Sequence, residues 1–119
     1  MDKRKAMKAE YKQTLRPMGV FQVKNLINGK VFIIGSLNID GKINGTKFQL
    51  EMGSHMNKGL QHDWDECGAD NFVFEVLELV EPDEGSLPDY AEDIKVLEGL
   101  WLEKVQPYGE RGYHTVKRL

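Results

Sequence analysis

The sequence predicts a single small α/β domain of the α+β type, in which a mostly antiparallel three-stranded sheet is flanked by helices. Three observations lead to this prediction: a hairpin signal near the N-terminus, a later run that is apolar on both faces, and a final segment with helical periodicity. The predicted order is β-hairpin, helix, helix, strand, helix. A doubly wound parallel sheet is not predicted, because its strands would alternate regularly with helices.

The hairpin is predicted by two β-like runs, at 19–24 (GVFQVK) and 30–36 (KVFIIGS), that are rich in Val, Ile and Phe. Asn28-Gly29 lies between them. This dipeptide favours a tight hairpin turn, because both residue types accept the positive φ angles that such a turn requires.

Two helices are expected after the hairpin. Residues 39–52 look helical towards their end, although they contain Gly41 and Gly45. Residues 56–67 place three apolar side chains at i, i+4 and i+7, and Gly68 follows where a helix commonly ends.

The clearest strand is 71–80 (NFVFEVLELV), which has apolar side chains on both faces. A strand of this kind is normally covered from both sides, so we expect it to be the central strand. The last helix is predicted over about 88–105, with Ser86 and Asp89 forming a capping box at its start. Apolar residues at helical spacing form one stripe along it.

The composition is that of an ordinary globular chain of 119 residues, with 40 % hydrophobic and 29 % charged residues. We predict a basic N-terminal arm or helix at 1–16 and one domain at 17–119. The single cysteine, Cys67, excludes an intramolecular disulfide and a cysteine-built zinc site. No apolar run approaches the ~20 residues needed to cross a membrane, and no secretory signal is recognised. A cytoplasmic location without a membrane partner is therefore expected.

The net charge of −3 hides a separation of charge along the chain. Residues 1–60 carry eleven basic and four acidic residues, a net +7, whereas 61–100 carry one basic and thirteen acidic residues, a net −12. The basic half could face phosphates, which the acidic stretch would repel. From charge alone, ordinary solvated surface is the favoured interpretation of both regions.

Specific residues in this order resemble the GIY-YIG nuclease family. Its first triplet corresponds to Gly19-Val20-Phe21 and its second to Phe32-Ile33-Ile34, with Gly35-Ser36 directly after. The later matches are Gly53-Ser54-His55, Asn57-Lys58, Leu60-Gln61, Asp63-Trp64, Asn71-Phe72, Glu98 and Gly112-Tyr113-His114. The similarity spans about 17–114, and the order and spacing of the motifs are more specific than any single one.

The resemblance implies metal-dependent cleavage of a DNA phosphodiester. In this family a helical glutamate, here Glu98, holds a divalent metal, while tyrosines of the two triplets activate or position water. An arginine on the first helix stabilises phosphate charge, and such groups are what phosphodiester cleavage requires. The implied cofactor is a weakly bound Mg²⁺ or Mn²⁺, and the implied partner is nucleic acid, most readily DNA. Phe21, Phe32, Lys42 and Glu98 should then converge on one concave surface.

Several of the implied site residues are substituted. Phe21 and Phe32 replace the two tyrosines and have no hydroxyl group with which to bind or relay a proton from water. Lys42 replaces the arginine, which keeps the charge but loses the bidentate geometry. His114 stands where the family has an asparagine, and only Glu98 is unchanged.

Two further departures concern the helix after the hairpin and the second triplet. Gly45 and Thr46 occupy positions where relatives often carry arginine and histidine. The second triplet's glycine corresponds to Ile34 in an ungapped alignment or to Gly35 after a shift of one residue, in which case the tyrosine position is Ile33 rather than Phe32.

The candidate polar residues each have a second interpretation. Glu98 lies at the edge of the apolar stripe, where a carboxylate is paired, reaches to solvent or binds a metal. One carboxylate holds Mg²⁺ only weakly unless substrate phosphates complete the coordination shell. His114 could donate to a phosphate or be an ordinary residue of the C-terminal segment, whereas His55 and His62 are interpreted as exposed surface.

Three functions are compatible with this pattern. The first is a GIY-YIG-like domain that binds nucleic acid, mainly through Lys42 and Lys47, with cleavage weak or lost. The second is a catalytically dead domain kept as a protein-interaction module, with a protein partner or a second copy on the acidic stretch 63–93. The third is an active endonuclease in which Glu98 or His114 has taken over water activation.

Overall fold

The computed structural model describes residues 17–81 and 90–115. Its elements are β1 (Met18–Asn25), β2 (Val31–Ser36), α1 (Ile39–Glu51), α2 (Lys58–Cys67), β3 (Phe72–Val80) and α3 (Tyr90–Val105), with 3₁₀ turns at Ala69–Asn71 and Gly109–Arg111. The predicted α+β class and element order are confirmed. The predicted arm at 1–16 and the capping box of Ser86 and Asp89 lie outside the described residues.

No helix in the described parts of the chain combines the length and the apolar character that crossing a membrane requires.

The sheet is antiparallel throughout and has the strand order β2-β1-β3. The hairpin prediction is confirmed, because β1 pairs with β2 from Gly19 opposite Ser36 to Lys24 opposite Val31. Gly29 in the connecting turn has a φ of 78°, which a glycine adopts without strain.

The prediction that 71–80 is the central strand is wrong, because β3 lies at an edge and β1 is central. A bulge near Val20 and Phe21 adds Leu77 to β3, which changes the phase of the side-chain alternation. Val76 and Leu79 therefore share a face in spite of their odd spacing, and they are 50 % and 55 % exposed. Apolar residues on both faces do not require a central position, because Phe72 and Leu77 of this edge strand pack into clusters on opposite faces of the sheet.

Helices cover both faces of the sheet and create two apolar clusters. One cluster, beneath α1 and α2, consists of Phe21, Val23, Ile34, Ile39, Leu50, Leu60, Trp64, Phe72 and Tyr113. The other is formed by Val20, Val31 and Ile33, with Leu77, Leu97, Trp101, Leu102 and Val105 packed against it. Each large apolar side chain that is fully buried contributes about 1.5–3 kcal/mol relative to an exposed one.

Asparagine side chains start both helices that follow the hairpin. Asn38 Oδ1 accepts a hydrogen bond from Gly41 N–H (3.1 Å), and Asn57 Oδ1 accepts one from Leu60 N–H (3.0 Å). A Cβ at Gly41 would overlap the Asn38 side chain, which explains a glycine so early in α1. As predicted, α2 ends at Gly68, whose φ is 87°.

The C-terminal segment 106–115 is fixed against the hairpin through Tyr113. Its hydroxyl donates to Asp63 Oδ2 (2.7 Å) and accepts from Asn25 Nδ2 (3.1 Å), and its N–H donates to the Val31 carbonyl (3.0 Å). Burial, together with the hydrogen bond to Asp63, raises the pKa of Tyr113, so the hydroxyl keeps its proton at neutral pH. This network places His114 beside β2.

Candidate functional site

A pocket of about 430 Å³ lies along the β2 side of the domain. Its walls come from β2 (Phe32, Ile33, Ile34), α1 (Lys42, Thr46, Gln49), the segment before α2 (His55, Met56, Asn57), α3 (Glu98) and the C-terminal segment (His114). Residues that are up to 82 positions apart in the sequence therefore meet at one surface.

Four of the residues singled out in the sequence line this pocket together: Phe32, Lys42, Glu98 and His114. Lys42 is exposed and has no hydrogen-bond or ion-pair partner among the described residues, so its charge is available to a ligand. These four residues come from four different elements, and the fold alone brings them together.

Phe21 and Lys47 do not line the pocket. Phe21 is completely buried in the cluster beneath α1 and α2, where its ring centroid lies 6.5 Å from that of Phe74. Lys47 points along another side of α1, with its Nζ 5.0 Å above the Phe74 ring. The expectation that Phe21 joins the other residues at one concave surface is therefore wrong.

Glu98 is held against β2 by a hydrogen bond in which Gly35 N–H donates to Glu98 Oε2 (2.6 Å). A Cβ at Gly35 would lie 2.8 Å from Ile94 Cγ2 and 3.0 Å from Glu98 Oε2, so glycine permits α3 to approach the strand closely. Ile34, by contrast, is buried in the core. Glycine at position 35 therefore allows Glu98 and Ile94 of α3 to pack directly on β2.

The interpretation of His55 as an exposed residue is wrong, because its side chain is only 6 % exposed and lines the pocket. Its N–H donates to Gln61 Oε1 (3.0 Å), and its Nδ1 accepts from Asn57 N–H (3.0 Å). Its ring meets the Phe32 ring edge-on, with centroids 5.6 Å apart. The sequence feature that could have indicated its burial is its place in the Gly53-Ser54-His55 motif, two residues before Asn57, the N-cap of α2. His62 is exposed, as expected.

His114 is fixed in a similar manner. Its ring stacks on Phe32, with centroids 4.6 Å apart and planes 18° apart, and its Nε2 accepts from Ile33 N–H (2.8 Å). Burial lowers the pKa of both histidines, and the positive charge of Lys42 lowers that of His55 further. Both rings are therefore neutral at pH 7, with the proton on Nε2 of His55 and on Nδ1 of His114.

The protonation of these two imidazole rings determines which hydrogen-bond donors and acceptors the pocket offers to a ligand. Its walls carry one lysine cation, two neutral imidazoles, the amides of Gln49 and Asn57, the Thr46 hydroxyl and a single carboxylate. Such donors suit a phosphate oxygen. The acceptor nitrogen of each imidazole already binds a backbone N–H, so neither ring can take a proton from water without losing that bond.

Glu98 is the one carboxylate among the pocket residues. No group of three or more His, Cys, Asp or Glu side chains in the described residues is arranged to hold a metal ion. Glu98 Oε1 has no hydrogen-bond partner in the described parts of the chain and could supply one ligand to Mg²⁺. Phosphate oxygens and waters would have to provide the rest, so the residues fit a metal ion only together with a substrate.

No protein-family model and no curated protein matches this chain. Solved structures do. The catalytic domain of the homing endonuclease I-TevI is 24 % identical with a TM-score of 0.68, over 84 % of this chain and 99 % of that chain. A mutant of the catalytic domain of the intron endonuclease I-TevI is 21 % identical with a TM-score of 0.68, over 82 % and 92 %. I-TevI is of the GIY-YIG type. The chain has a GIY-YIG-like fold.

In this GIY-YIG-like domain the pocket is assembled from β2, α1, α3, the segment before α2 and the C-terminal segment, whereas β1 with the first triplet lies outside it. The resemblance found in the sequence thus predicted the fold correctly. At identities of 21–24 % the likeness establishes the fold and not the activity. The roles of Phe32, Lys42, Glu98 and His114 remain predictions.

The two buried histidines should make the stability depend on pH. Their pKa values are lowered in the folded state, so as pH falls through the ordinary histidine pKa the unfolded chain binds protons that the folded chain does not. The free energy of unfolding should therefore fall between about pH 7.5 and about pH 5.5, a range in which histidine is the main titrating side chain. Urea unfolding at both values measures this change.

Substitutions assign the effect to the two rings. His55→Gln and His114→Gln should each show a smaller fall in stability over this range than the unmodified protein, whereas the exposed His62→Gln should show the same fall. Equal pH dependence in all four proteins would contradict the assigned neutral state.

Proposed function

We propose that this domain binds nucleic acid, most readily DNA, with a backbone phosphate in the pocket, and that its metal-dependent phosphodiester cleavage is weak or absent. The observation that carries the proposal is the meeting of Lys42, His55 and His114 in one pocket of a GIY-YIG-like fold. The two similar structures are catalytic domains of endonucleases, which supports a nucleic-acid ligand.

Binding follows from the charges and donors of the pocket. Lys42 supplies a cation at the mouth, and the N–H groups of the two neutral imidazoles supply hydrogen bonds of the kind that phosphate oxygens accept. Lys47, whose Nζ lies over the Phe74 ring of β3, supplies a second cation on another side of α1. Contacts of this kind hold the backbone of nucleic acid without reading its sequence.

Weak cleavage follows from what the pocket lacks. Phe32 lies between the two imidazoles at the position of a family tyrosine, and its ring has no hydroxyl group to position or activate water. Both imidazoles are held as donors, and the Thr46 hydroxyl is too weak an acid or base to replace a tyrosine. A divalent ion on Glu98 would neutralise phosphate charge, but the attacking water would have no tyrosine hydroxyl to position it.

The experiment for this proposal is the affinity for a labelled short DNA duplex, measured by fluorescence anisotropy at several salt concentrations. The domain should bind at low salt, and log Kd should change with log salt by about 0.9 per phosphate contact. Lys42→Ala should weaken binding and reduce that slope by about one.

Lys95→Ala is the matched control, because Lys95 is an exposed lysine on α3 and is absent from the walls of the pocket; it should leave binding unchanged. No binding at low salt would reject the proposal and favour the protein-interaction alternative. Binding that Lys42→Ala and Lys95→Ala weaken equally would place the nucleic acid elsewhere.

A further inference from the structure

A second cavity of about 500 Å³ adjoins the pocket on the side of the hairpin turn. It lies between Lys30 at the end of that turn, the first residues of α2 and the C-terminal segment at Gly112–Thr115. Because Lys30 and Lys58 are its charged residues, it is called the lysine cavity here. It shares Met56, Asn57 and His114 with the pocket, so the two cavities are neighbours, and together they are called the groove here.

The lysine cavity is positively charged. Its walls contain Lys30 and Lys58 but no aspartate or glutamate. Neither ammonium group has an ion-pair partner among the described residues. On the far side of the sheet, by contrast, Glu75 and Glu78 of the edge strand are exposed. An extended anion that occupies the pocket is therefore attracted along the groove and repelled from the β3 side.

One of the two lysines is held in place before any ligand arrives. Lys30 is half-buried, and its Nζ lies 5.6 Å from the centroid of the Tyr113 ring, which is itself fixed by Asp63 and Asn25. A cation whose side chain is already ordered loses less entropy on binding than a free surface lysine. The ordered Lys30 side chain distinguishes the lysine cavity from a surface patch of freely moving, solvated lysines.

We propose that the lysine cavity binds the backbone phosphates next to the one held in the pocket, so that one strand of nucleic acid follows the groove from Glu98 past His114 to Lys58. The inference rests on the proposed function and adds the path of the strand. Met56 stands at the junction of the two cavities and is 88 % exposed, which gives a sugar or base an apolar side chain to contact.

The test is the salt dependence of duplex binding by the double variant Lys30→Gln, Lys58→Ala. Two lost phosphate contacts should reduce the log–log slope by about two and weaken binding roughly tenfold or more at low salt. The matched control is the double variant Lys104→Gln, Lys95→Ala. Lys104 matches Lys30, because its Nζ lies 4.7 Å from the centroid of the Trp101 ring as that of Lys30 lies over Tyr113. Lys95 matches Lys58, because both side chains are exposed. The control should bind as the unmodified protein does.

The outcomes separate this inference from the proposed function. If Lys42→Ala weakens binding while the Lys30, Lys58 double variant keeps the native affinity and slope, the strand does not enter the lysine cavity and the inference is wrong. If the unmodified protein does not bind at low salt, both proposals fail. Lys58→Ala alone alters an exposed side chain and should lower the slope by about one, even if Lys30→Gln lowers the melting temperature through Tyr113.

Discussion

Gly19→Ala should destabilise the domain by about 3 kcal/mol or more, the largest effect we expect of any single methyl group. Gly19 has a φ of 154°, and a Cβ there would overlap the carbonyl oxygen of Glu78 in the neighbouring strand. Backbone atoms meet at this point, so the clash can be relieved only by moving β1 away from β3. Urea unfolding of the variant beside the unmodified protein measures the loss.

Alanine substitutions at two other glycines serve as controls, because a Cβ added there meets no neighbouring atom. Gly29 also has a positive φ, 78°, but has open space around it, so Gly29→Ala should cost only about 1–2 kcal/mol of backbone strain. Gly45 lies within α1 with nothing near its missing Cβ, so Gly45→Ala should stabilise by up to about 1 kcal/mol. If Gly19→Ala lowered the free energy of unfolding no more than Gly29→Ala does, β1 and β3 would not approach each other as closely at Gly19 as the structure shows.

Cleavage of DNA by the unmodified domain with Mg²⁺ or Mn²⁺ should be at or near the detection limit. A positioned proton-transfer group typically contributes 10²–10⁴-fold, and the pocket lacks the tyrosine hydroxyl at Phe32. Lys42 in place of arginine removes an oriented donor, a change worth roughly 10²–10³-fold at such sites. The two effects are not additive, but either one makes cleavage slow. Nicking of supercoiled and linear DNA, with Glu98→Ala run beside it to reveal contaminating nucleases, measures the activity.

Tyrosine substitutions at Phe32 and Phe21 should differ in their effect on DNA cleavage. Phe32→Tyr adds its hydroxyl group to the pocket wall, so a gain in Glu98-dependent cleavage should come from this variant or from its combination with Lys42→Arg. Phe21→Tyr should give no gain, because Phe21 is wholly buried and a hydroxyl group left unpaired there costs about 1–3 kcal/mol. Robust cleavage by the unmodified protein that Glu98→Ala abolishes would contradict the claim of impairment.

The parts of the fold that depend on neighbours in sequence could be predicted from it. The Asn28-Gly29 turn specifies the hairpin, and Gly68 specifies the end of α2, because both effects act within a few residues. The edge position of β3 could not be predicted. It depends on the order of the strands and on the bulge at Leu77, which is visible only when the strands are paired.

The candidate site divides in the same way. Spacing along α3 drew attention to Glu98, but its attachment to Gly35 depends on how closely α3 packs on β2. The burial of His55 depends on Gln61 and on Phe32 from the hairpin, so no local pattern distinguishes it from an exposed histidine. The covering of Phe21 by two helices is likewise a property of the assembled fold.

The central claim is that nucleic acid binds through the pocket, and chemical-shift mapping tests it most directly. An isotope-labelled sample of the domain would be titrated with a short DNA duplex at low salt. The backbone amides of Lys42, His55, Asn57 and His114 should shift most, while those of the exposed acidic residues Glu75 and Glu78 on β3 should stay in place. Shifts centred on β3 and the outer face of α3, with the pocket amides unchanged, would contradict the account.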